Sequence, residues 1–395
     1  MMIYLLVFIL LLIPVVKYDW MAKTGGEDKW YYLNLVVLIL LAGLRYRVGG
    51  DTLMYMSMYD GWPTIEELKY FDFEEAEYQP LWYIFVAICK SFSSEFVFFQ
   101  LVHATLILSI FFYCFRKYSP RYYFTVILIF AIGYYFYFSM EIMREVLCIA
   151  IMLLATTWLI NRKWLLYYLA CVVALYIHYS ALLMFLFPIA CWLFKKPSWK
   201  LQVIFFVAIF FLLNIVNLPK IIVNSLPISG QLSRMILSYM DFEVSVFGIL
   251  FQVLSFLPII GTIFVRQRIE IKDEYDFTPI VMASVVIYAF STSMAGFSRF
   301  VNYFVPYIVM YIVNTVYPII YRKFSDISVT YTIMTCVMFV YGFNISYYYL
   351  RDMSDIYPST KYYVIFFPYS YVFDKEVNEH RERFVENYRG VKILF

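Results

Sequence analysis

An arginine stands inside one of the most apolar stretches of the chain. The stretch FSMEIMREVLCIAIMLLA (138–155) places Arg144 among apolar residues, three positions after Glu141. Residues three apart are neighbours on a helix, so these two side chains could form an intrahelical ion pair. A guanidinium that faces a cavity would instead bind phosphate oxygens well, because its planar N–H fork matches their geometry. Both interpretations remain open at this stage.

A histidine occupies the centre of another apolar stretch, LYIHYSALL (175–183), where Ser180 follows His178 by two positions. An imidazole in hydrocarbon must be hydrogen-bonded, paired or used. Histidine titrates near neutral pH and is therefore a natural general base. A purely structural role is the alternative for His178. His103 has no charged neighbours in QLVHATLIL, and we expect it to be structural.

Two further stretches combine arginines with glycines or small residues. In LRYRVGGDTLMYMSMYD (44–60) the candidates are Arg45, Arg47, Asp51 and Tyr55. This stretch lacks the G-x-x-x-x-G-K-[ST] pattern of a phosphate loop. It is either a helix stop with snorkelling arginines or an anion or sugar site at a membrane boundary.

The second such stretch is STSMAGFSRFVNYFVPY (291–307). Here Arg299 heads an apolar run and Tyr303 follows on the next turn. A helix N-terminus beside a guanidinium favours an anion, whereas the alternative is an arginine that anchors the helix at the interface. In EAEYQPLWYIF (75–85), Trp82 and Tyr83 could stack on sugar faces or form an interfacial belt.

The composition identifies the elements that must position these residues. Hydrophobic residues make up 63% of the chain and charged residues 15%, far from the usual soluble balance. We therefore predict an integral membrane protein. The net charge of +3 without a basic stripe argues against nucleic acid. No cysteine pair has C-x-x-C spacing, so we expect neither a zinc site nor a disulfide framework.

The apolar runs predict an all-α polytopic membrane protein with about 11–14 transmembrane helices, some of them broken or tilted. We divide the chain into a transmembrane domain, 1–350, and a C-terminal apolar stretch with an amphipathic tail, 351–395. The N-terminal run has no basic residue before it and reads as a first span rather than a signal peptide. The predicted spans are 2–17, 30–44, 80–92, 94–115, 121–138, 142–160, 164–177, 179–194, 201–218, 244–265, 278–296, 300–320 and 328–349.

The short basic loops indicate the orientation of these spans. The loops at 161–163, 195–200, 266–272 and 321–323 are rich in lysine and arginine and should be cytoplasmic. This places Arg144, His178 and Arg299 near the outer face. The side of loop 45–79 depends on whether 80–92 and 94–115 both cross, and we favour the outer side.

Four of these stretches together resemble the EpsG family of multi-span polymerases of bacterial exopolysaccharide and capsule. They are GLRYRVGGDTLMY (43–55), IMREVLCIAI (142–151), IHYSALL (177–183) and GFSRFVNYF (296–304). The chain departs from the family pattern at Thr52, where tyrosine is usual, and at Glu145, where glutamine is usual. The resemblance implies a GT-C-like helical architecture with an extracytoplasmic cavity.

The resemblance also implies a reaction: repeat units on undecaprenyl diphosphate are joined at the outer side of the bacterial inner membrane by inverting glycosyl transfer. We expect Arg144 and Arg299 to hold the leaving diphosphate, with Arg45 or Arg47 in reserve, and His178 to be the general base. We expect no metal and no cofactor. A chain-length regulator and a flippase are further partners. The substrate-binding candidates are Arg45, Arg47, Asp51, Tyr55, Glu141, Ser180 and Tyr303.

Three alternatives remain. A membrane O-acyltransferase that modifies glycans would also carry a histidine within its helices. A flippase for lipid-linked glycans would use arginines in a cavity without a general base. A ligase would transfer finished glycan onto another acceptor by the same chemistry.

Overall fold

The computed structural model of the chain describes residues 2–194, 258–266, 275–293, 298–323, 350 and 361–389. Within these residues the regular structure is helical, and the strand-type pairing is one isolated antiparallel bridge between Arg45 and Tyr371. The prediction of an all-α fold is therefore confirmed. The predicted spans at 201–218 and 328–349, and most of 244–265, lie outside the described residues.

By its contacts the chain divides into two units, Met1–Ala181 with Ile320–Phe395, and Leu182–Ile319. The predicted boundary at residue 350 stays a prediction. In the first unit, α1 (Met2–Pro14) continues as a π-helix (Val15–Trp20). The following helices are α2 (Glu27–Gly43), α3 (Gly50–Tyr59), α4 (Pro80–Phe92), α5 (Phe96–Tyr118), α6 (Tyr123–Gly133), α7 (Tyr135–Met140), α8 (Met143–Ile160) and α9 (Trp164–Leu175), with a 3₁₀ turn at Glu67–Lys69.

The second unit holds most of a 3₁₀ helix (Tyr179–Leu186), which begins in the first unit, and then α10 (Phe187–Leu193). A helical stretch at 258–266 and three further helices follow: α11 (Thr278–Ser293), α12 (Ser298–Asn302) and α13 (Val305–Lys323), whose last turn belongs to the first unit. Phe187 stacks on Phe304 with ring centroids 4.9 Å apart, and Phe277 meets Tyr307 edge to face at 5.3 Å.

Three of the described helical segments are long and apolar enough to cross a membrane: Met2–Trp20, Phe96–Tyr118 and Met143–Ile160. Several shorter apolar helices accompany them, as expected for a polytopic membrane protein with broken helices. The predicted span 121–138, for example, is interrupted at Tyr134 between α6 and α7. The total number of crossings stays a prediction.

Close helix packing forms the core of the first unit, where α2 lies against α5, and α8 packs on both α5 and α9. Gly43 shows how close α2 and α5 come. A Cβ atom at this position would lie 2.9 Å from the Cα atom of Leu101, so a side chain there would push the helices apart. Small residues at such crossings are typical of helices packed within membranes.

The two ends of α8 have different neighbours. Arg144 lies in its first turn, whereas near its other end the Lys117 Nζ donates to Thr157 Oγ1 at 2.7 Å. Arg162 and Lys163 follow the helix and are exposed. An 18-residue helix is roughly 27 Å long, so the two ends lie about one hydrocarbon thickness apart.

The C-terminal segment packs into the first unit. It contains a 3₁₀ turn (Tyr362–Ile365) and α14 (Glu379–Arg389). Arg381 is fully buried and donates to the carbonyl oxygens of Val364 at 3.0 Å, Arg47 at 2.8 Å, and Pro368. The Tyr369 hydroxyl donates to the Leu41 carbonyl at 3.0 Å. The tail thus fixes the loop between α2 and α3.

Replacing Arg381 by alanine should destabilise the protein, because three carbonyl oxygens, including that of the buried Val364, would lose their donor. Each such loss costs about 1–3 kcal/mol, so the thermal midpoint of the detergent-purified protein should fall clearly. The matched control is Arg383→Ala, since Arg383 is 74% exposed and pairs with Glu379 on the surface of the same helix. Equal midpoints for the two variants would contradict this role of Arg381.

Candidate functional site

Helix α3, which carries Asp51 and Tyr55, is held at both ends by side chains from other elements. The Glu141 carboxylate accepts hydrogen bonds from the backbone N–H groups of Gly50 and, at 3.2 Å, Asp51. At the other end Lys90 Nζ donates to three carbonyl oxygens, including that of Trp62 at 2.6 Å. An acceptor at the N-terminus and a cation at the C-terminus both suit the orientation of the helix dipole.

Glu141 therefore has a structural partner that the sequence did not indicate. The N–H groups at the glycine-rich start of α3 are bound by the protein itself, through this buried carboxyl group. Burial raises the pKa of Glu141 to about 8, and the Gly50 N–H and the Arg45 guanidinium oppose that rise. Substrate binding by Glu141 stays a prediction, but its contacts join α3 to the segment just before α8.

Glycine at position 49 is required by the backbone geometry. Gly49 has a φ of +102°, and a Cβ atom there would lie 2.8 Å from the Met140 carbonyl oxygen. Its N–H donates to the carbonyl of Ile365 at 3.0 Å. The loop before α3 is therefore pressed between the end of α7 and the C-terminal segment, and a larger residue would separate them.

The two arginines of this loop are engaged within the protein. Arg45 is 1% exposed and donates to the carbonyl oxygens of Ala42 and Val48 and, at 2.8 Å, to Thr52 Oγ1. Arg47 forms a two-pronged ion pair with the buried Glu382 of α14. These contacts favour a structural use of both cations. Substrate binding by either one stays a prediction.

Arg144 has a different environment. Its Nε donates to the Tyr55 hydroxyl at 3.0 Å, its Nη1 to Gln79 Oε1 at 3.4 Å, and its guanidinium lies 3.9 Å from the Tyr78 ring centroid. All three partners are neutral. Within the described residues no carboxylate lies within ion-pair distance of Arg144, and its Nη2 has no hydrogen-bond partner. The half-buried cation is thus held in place by neutral groups.

A buried aromatic cluster holds these partners. Tyr55 contacts Trp62, Tyr78 and Trp82 with ring centroids 5.5–6.2 Å apart. Trp82 is fully buried and Tyr83 is 4% exposed, so both belong to this cluster and are not available as an open sugar platform. Such packing holds the Tyr55 hydroxyl and the Tyr78 ring rigidly against Arg144.

His178 lies at the same end of the helices as Arg144. The Cys148 Sγ, one turn after Arg144, donates to the Ala174 carbonyl at 3.2 Å, and that carbonyl also accepts the His178 N–H at 3.0 Å. The Leu81 N–H, two residues after Gln79, donates to the Tyr176 carbonyl at 3.0 Å. The starts of α4 and α8 and the end of α9 therefore meet here, and His178 follows α9 directly.

Ser180 is in contact with the His178 ring. The Nδ1 atom lies 2.6 Å from Ser180 Oγ and accepts the Ser180 backbone N–H at 3.1 Å. Ser180 is 7% exposed, and His178 is half-buried. His103 is fully buried, with its Nε2 2.8 Å from the Met143 carbonyl. This contact agrees with a structural role for His103.

Two of the predicted residues lie in the second unit. Arg299 is exposed on the short helix α12, and Tyr303 is fully buried in the turn that follows it. The function of Arg299 beside Arg144 stays a prediction, as does substrate binding by Tyr303. In the first unit the structure brings Tyr55, Arg144 and His178 to one end.

Tyr78 and Gln79 were not among the residues selected from the sequence, yet both contact the Arg144 guanidinium. The available signal was the amide directly before Pro80, since Gln79 is the N-cap residue of α4. Among the described residues, no group of three metal-binding side chains is placed to hold a metal ion.

Gln79→Glu tests whether the Arg144 guanidinium binds anions. The new carboxylate would lie beside the guanidinium and neutralise it, so the affinity for inorganic pyrophosphate should fall about tenfold or more, equivalent to ~1.4 kcal/mol. Gln79→Met keeps the size without the charge and should stay close to wild type. Titration calorimetry on the purified full-length protein measures both, and equal affinities for all three proteins would contradict the assignment.

Comparison with known proteins gives one match. The model of the EpsG family matches residues 29–369, which include most of α2, all of α3 to α13, and Arg144, His178 and Arg299. No curated protein and no solved structure matches the chain. Since the family model spans most of the 395 residues, the chain belongs to the EpsG family.

Proposed function

We propose that this protein polymerises a bacterial surface polysaccharide, joining oligosaccharide repeat units carried on undecaprenyl diphosphate at the outer side of the inner membrane. Membership of the EpsG family supports a repeat-unit polymerase. The observation that carries the proposal is the Arg144 site, where a half-buried guanidinium has only neutral partners among the described residues. Such a cation suits a diphosphate leaving group.

The proposed reaction is a glycosyl transfer with inversion. The bond between the anomeric carbon of the growing chain and the diphosphate oxygen breaks, and its electron pair leaves with the diphosphate. A hydroxyl oxygen of the next repeat unit attacks from the opposite face and gives its proton to a base. Arg144 stabilises the charge that develops on the leaving oxygen, and Arg299 is proposed to assist it. Two groups could accept the proton, His178 and Asp51.

The cations near the C-terminal end of α8 support the proposed orientation. The end of α8 near Lys117, Arg162 and Lys163 is basic, as cytoplasmic ends usually are. Arg144 and His178 lie at the opposite end, which is then the extracytoplasmic one. The lipid chain of the substrate would enter laterally between helices. A flippase would supply the substrate, and a chain-length regulator would act on the product.

One observation favours a second candidate, an O-acyltransferase. The 2.6 Å distance between Ser180 Oγ and His178 Nδ1 is the spacing of a nucleophile and its base. Ser180 is buried, however, and its hydroxyl contacts the histidine of its own turn. If the protein is an acyltransferase, its deletion would leave polymer length unchanged and would give a glycan that lacks acyl groups.

The first experiment is a gel profile of surface polysaccharide from a deletion strain complemented with wild type or variants. Wild type should restore a ladder of long chains. Arg144→Ala should leave single lipid-linked repeat units, and Arg144→Lys should restore little, because an ammonium cannot make the same planar contacts. The control is Lys163→Ala, exposed beyond the basic end of α8, which should restore the full ladder.

Two results would count against the proposal. A normal ladder in the deletion strain would rule out a polymerase and bring the acyltransferase forward. Long polymer from a strain that carries Arg144→Ala would show that Arg144 is not required for the reaction, even if the deletion itself abolished polymer.

A further inference from the structure

The contact between Ser180 and His178 restricts where the histidine carries its proton. The Ser180 backbone N–H can only donate, and it donates to Nδ1 at 3.1 Å. The Ser180 hydroxyl, 2.6 Å from the same nitrogen, can donate as well. The single lone pair of Nδ1 is therefore directed at Ser180 and is used there. A neutral ring in this arrangement carries its proton on Nε2.

This tautomer conflicts with the role of general base expected from the sequence. A base must present a lone pair to the attacking hydroxyl, yet the Nδ1 lone pair faces a residue that is 7% exposed. Nε2 carries hydrogen and can only donate. Moving the proton to Nδ1 would set an N–H group against the Ser180 N–H. The ring is therefore suited to donate a hydrogen bond.

We propose, building on the proposed polymerase function, that His178 donates a hydrogen bond from Nε2 to the substrate diphosphate and that Ser180 is the positioning residue that sets this tautomer. The ring follows α9, at the end of the bundle where α8 presents Arg144. An Nε2–H donor and a guanidinium on the same anion would both strengthen as charge moves onto the leaving oxygen.

The proton of the attacking hydroxyl then goes to Asp51. Asp51 precedes Tyr55 by four residues on α3, so both side chains lie on one face of the helix. Tyr55 is hydrogen-bonded to Arg144, which places Asp51 one turn from the proposed diphosphate site. The anomeric carbon–oxygen bond breaks onto the diphosphate, the new carbon–oxygen bond forms, and the Asp51 carboxylate takes the proton.

Substitutions at His178 separate the three roles that it could have. Glutamine places an N–H donor near the position of Nε2 but offers no basic nitrogen. Asparagine places an acceptor near the position of Nδ1 and can keep the Ser180 contact, but it has no donor near the position of Nε2. Alanine removes both. The assay uses the full-length protein with lipid-linked repeat units and measures the rate of chain extension.

The proposal expects His178→Gln to retain activity within about tenfold of wild type, while His178→Asn and His178→Ala lose about 10²–10³-fold, the usual effect of losing one such donor. If glutamine is as inactive as alanine, His178 is a base and the proposal fails. If asparagine restores activity as well as glutamine, the ring serves only to hold the turn, and the proposal fails again.

Two other variants test the remaining assignments. Ser180→Ala keeps the backbone N–H and should reduce the rate only several-fold, whereas complete loss would indicate a nucleophilic serine and overturn the proposal. Asp51→Asn keeps the N–H that Glu141 accepts and should lower the rate about 10²–10⁴-fold, as expected for loss of a general base. An Asp51→Asn protein with normal rates would exclude Asp51 as the base.

The pH dependence of the rate of chain extension gives a readout that a folding defect would not reproduce. If His178 is not the base, the decline of the wild-type rate at low pH should persist unchanged in His178→Gln. Disappearance of that decline in the variant would assign it to the histidine and overturn the proposal. Failure of the polymerase function is seen separately, since the wild-type protein itself would then extend no chains.

Discussion

The hydrogen bonds from the start of α3 to the Glu141 carboxylate connect the parts on which the site depends. Glu141 stands just before α8, so this contact fixes the helix that carries Asp51 and Tyr55 against the helix that carries Arg144. Because Glu141 is buried, its desolvation has to be offset, and two backbone N–H groups at a helix N-terminus do so. The position of Tyr55 beside Arg144 follows from this anchoring.

The contacts of each arginine separate the structural arginines from the candidate substrate-binding arginine more clearly than their positions in the sequence do. Arg45 and Arg381 donate to backbone carbonyls, and Arg47 pairs with Glu382. Arg45 and Arg381 thereby satisfy carbonyl groups in and around the loop before α3, whereas Arg47 connects that loop to α14. Arg144 is held instead by a phenol, an amide and an aromatic face, which orient the guanidinium without cancelling its charge.

Composition and apolar periodicity were sufficient to predict a helical membrane protein and the bounds of several helices, including the start of α4 at Pro80. The short motifs identified the family and selected Arg144, Tyr55 and His178. The sequence could not show that Arg47 would pair with Glu382, because 335 residues separate them. It also could not show Gln79 beside Arg144, since a single amide in a loop carries no periodic signal.

The tautomer proposed for His178 could be predicted only in part from the sequence. The serine two residues on was visible in the sequence, but the direction of its backbone N–H depends on the turn that begins the 3₁₀ helix. The motif identifies the two residues that interact, whereas the backbone conformation determines which group donates the hydrogen bond.

The loop before α3 has a consequence for biosynthesis. Its carbonyl at Arg47 and its N–H at Gly49 are hydrogen-bonded by Arg381 and by Ile365, residues that are translated much later than the loop. The preceding helices can insert into the membrane as they are synthesised. Until the C-terminal segment is made, however, the polar groups of this loop lack their hydrogen-bond partners in the protein. The loop before α3 can therefore reach its final conformation only after the C-terminal segment has been synthesised, and a chain arrested before residue 361 would lack these contacts.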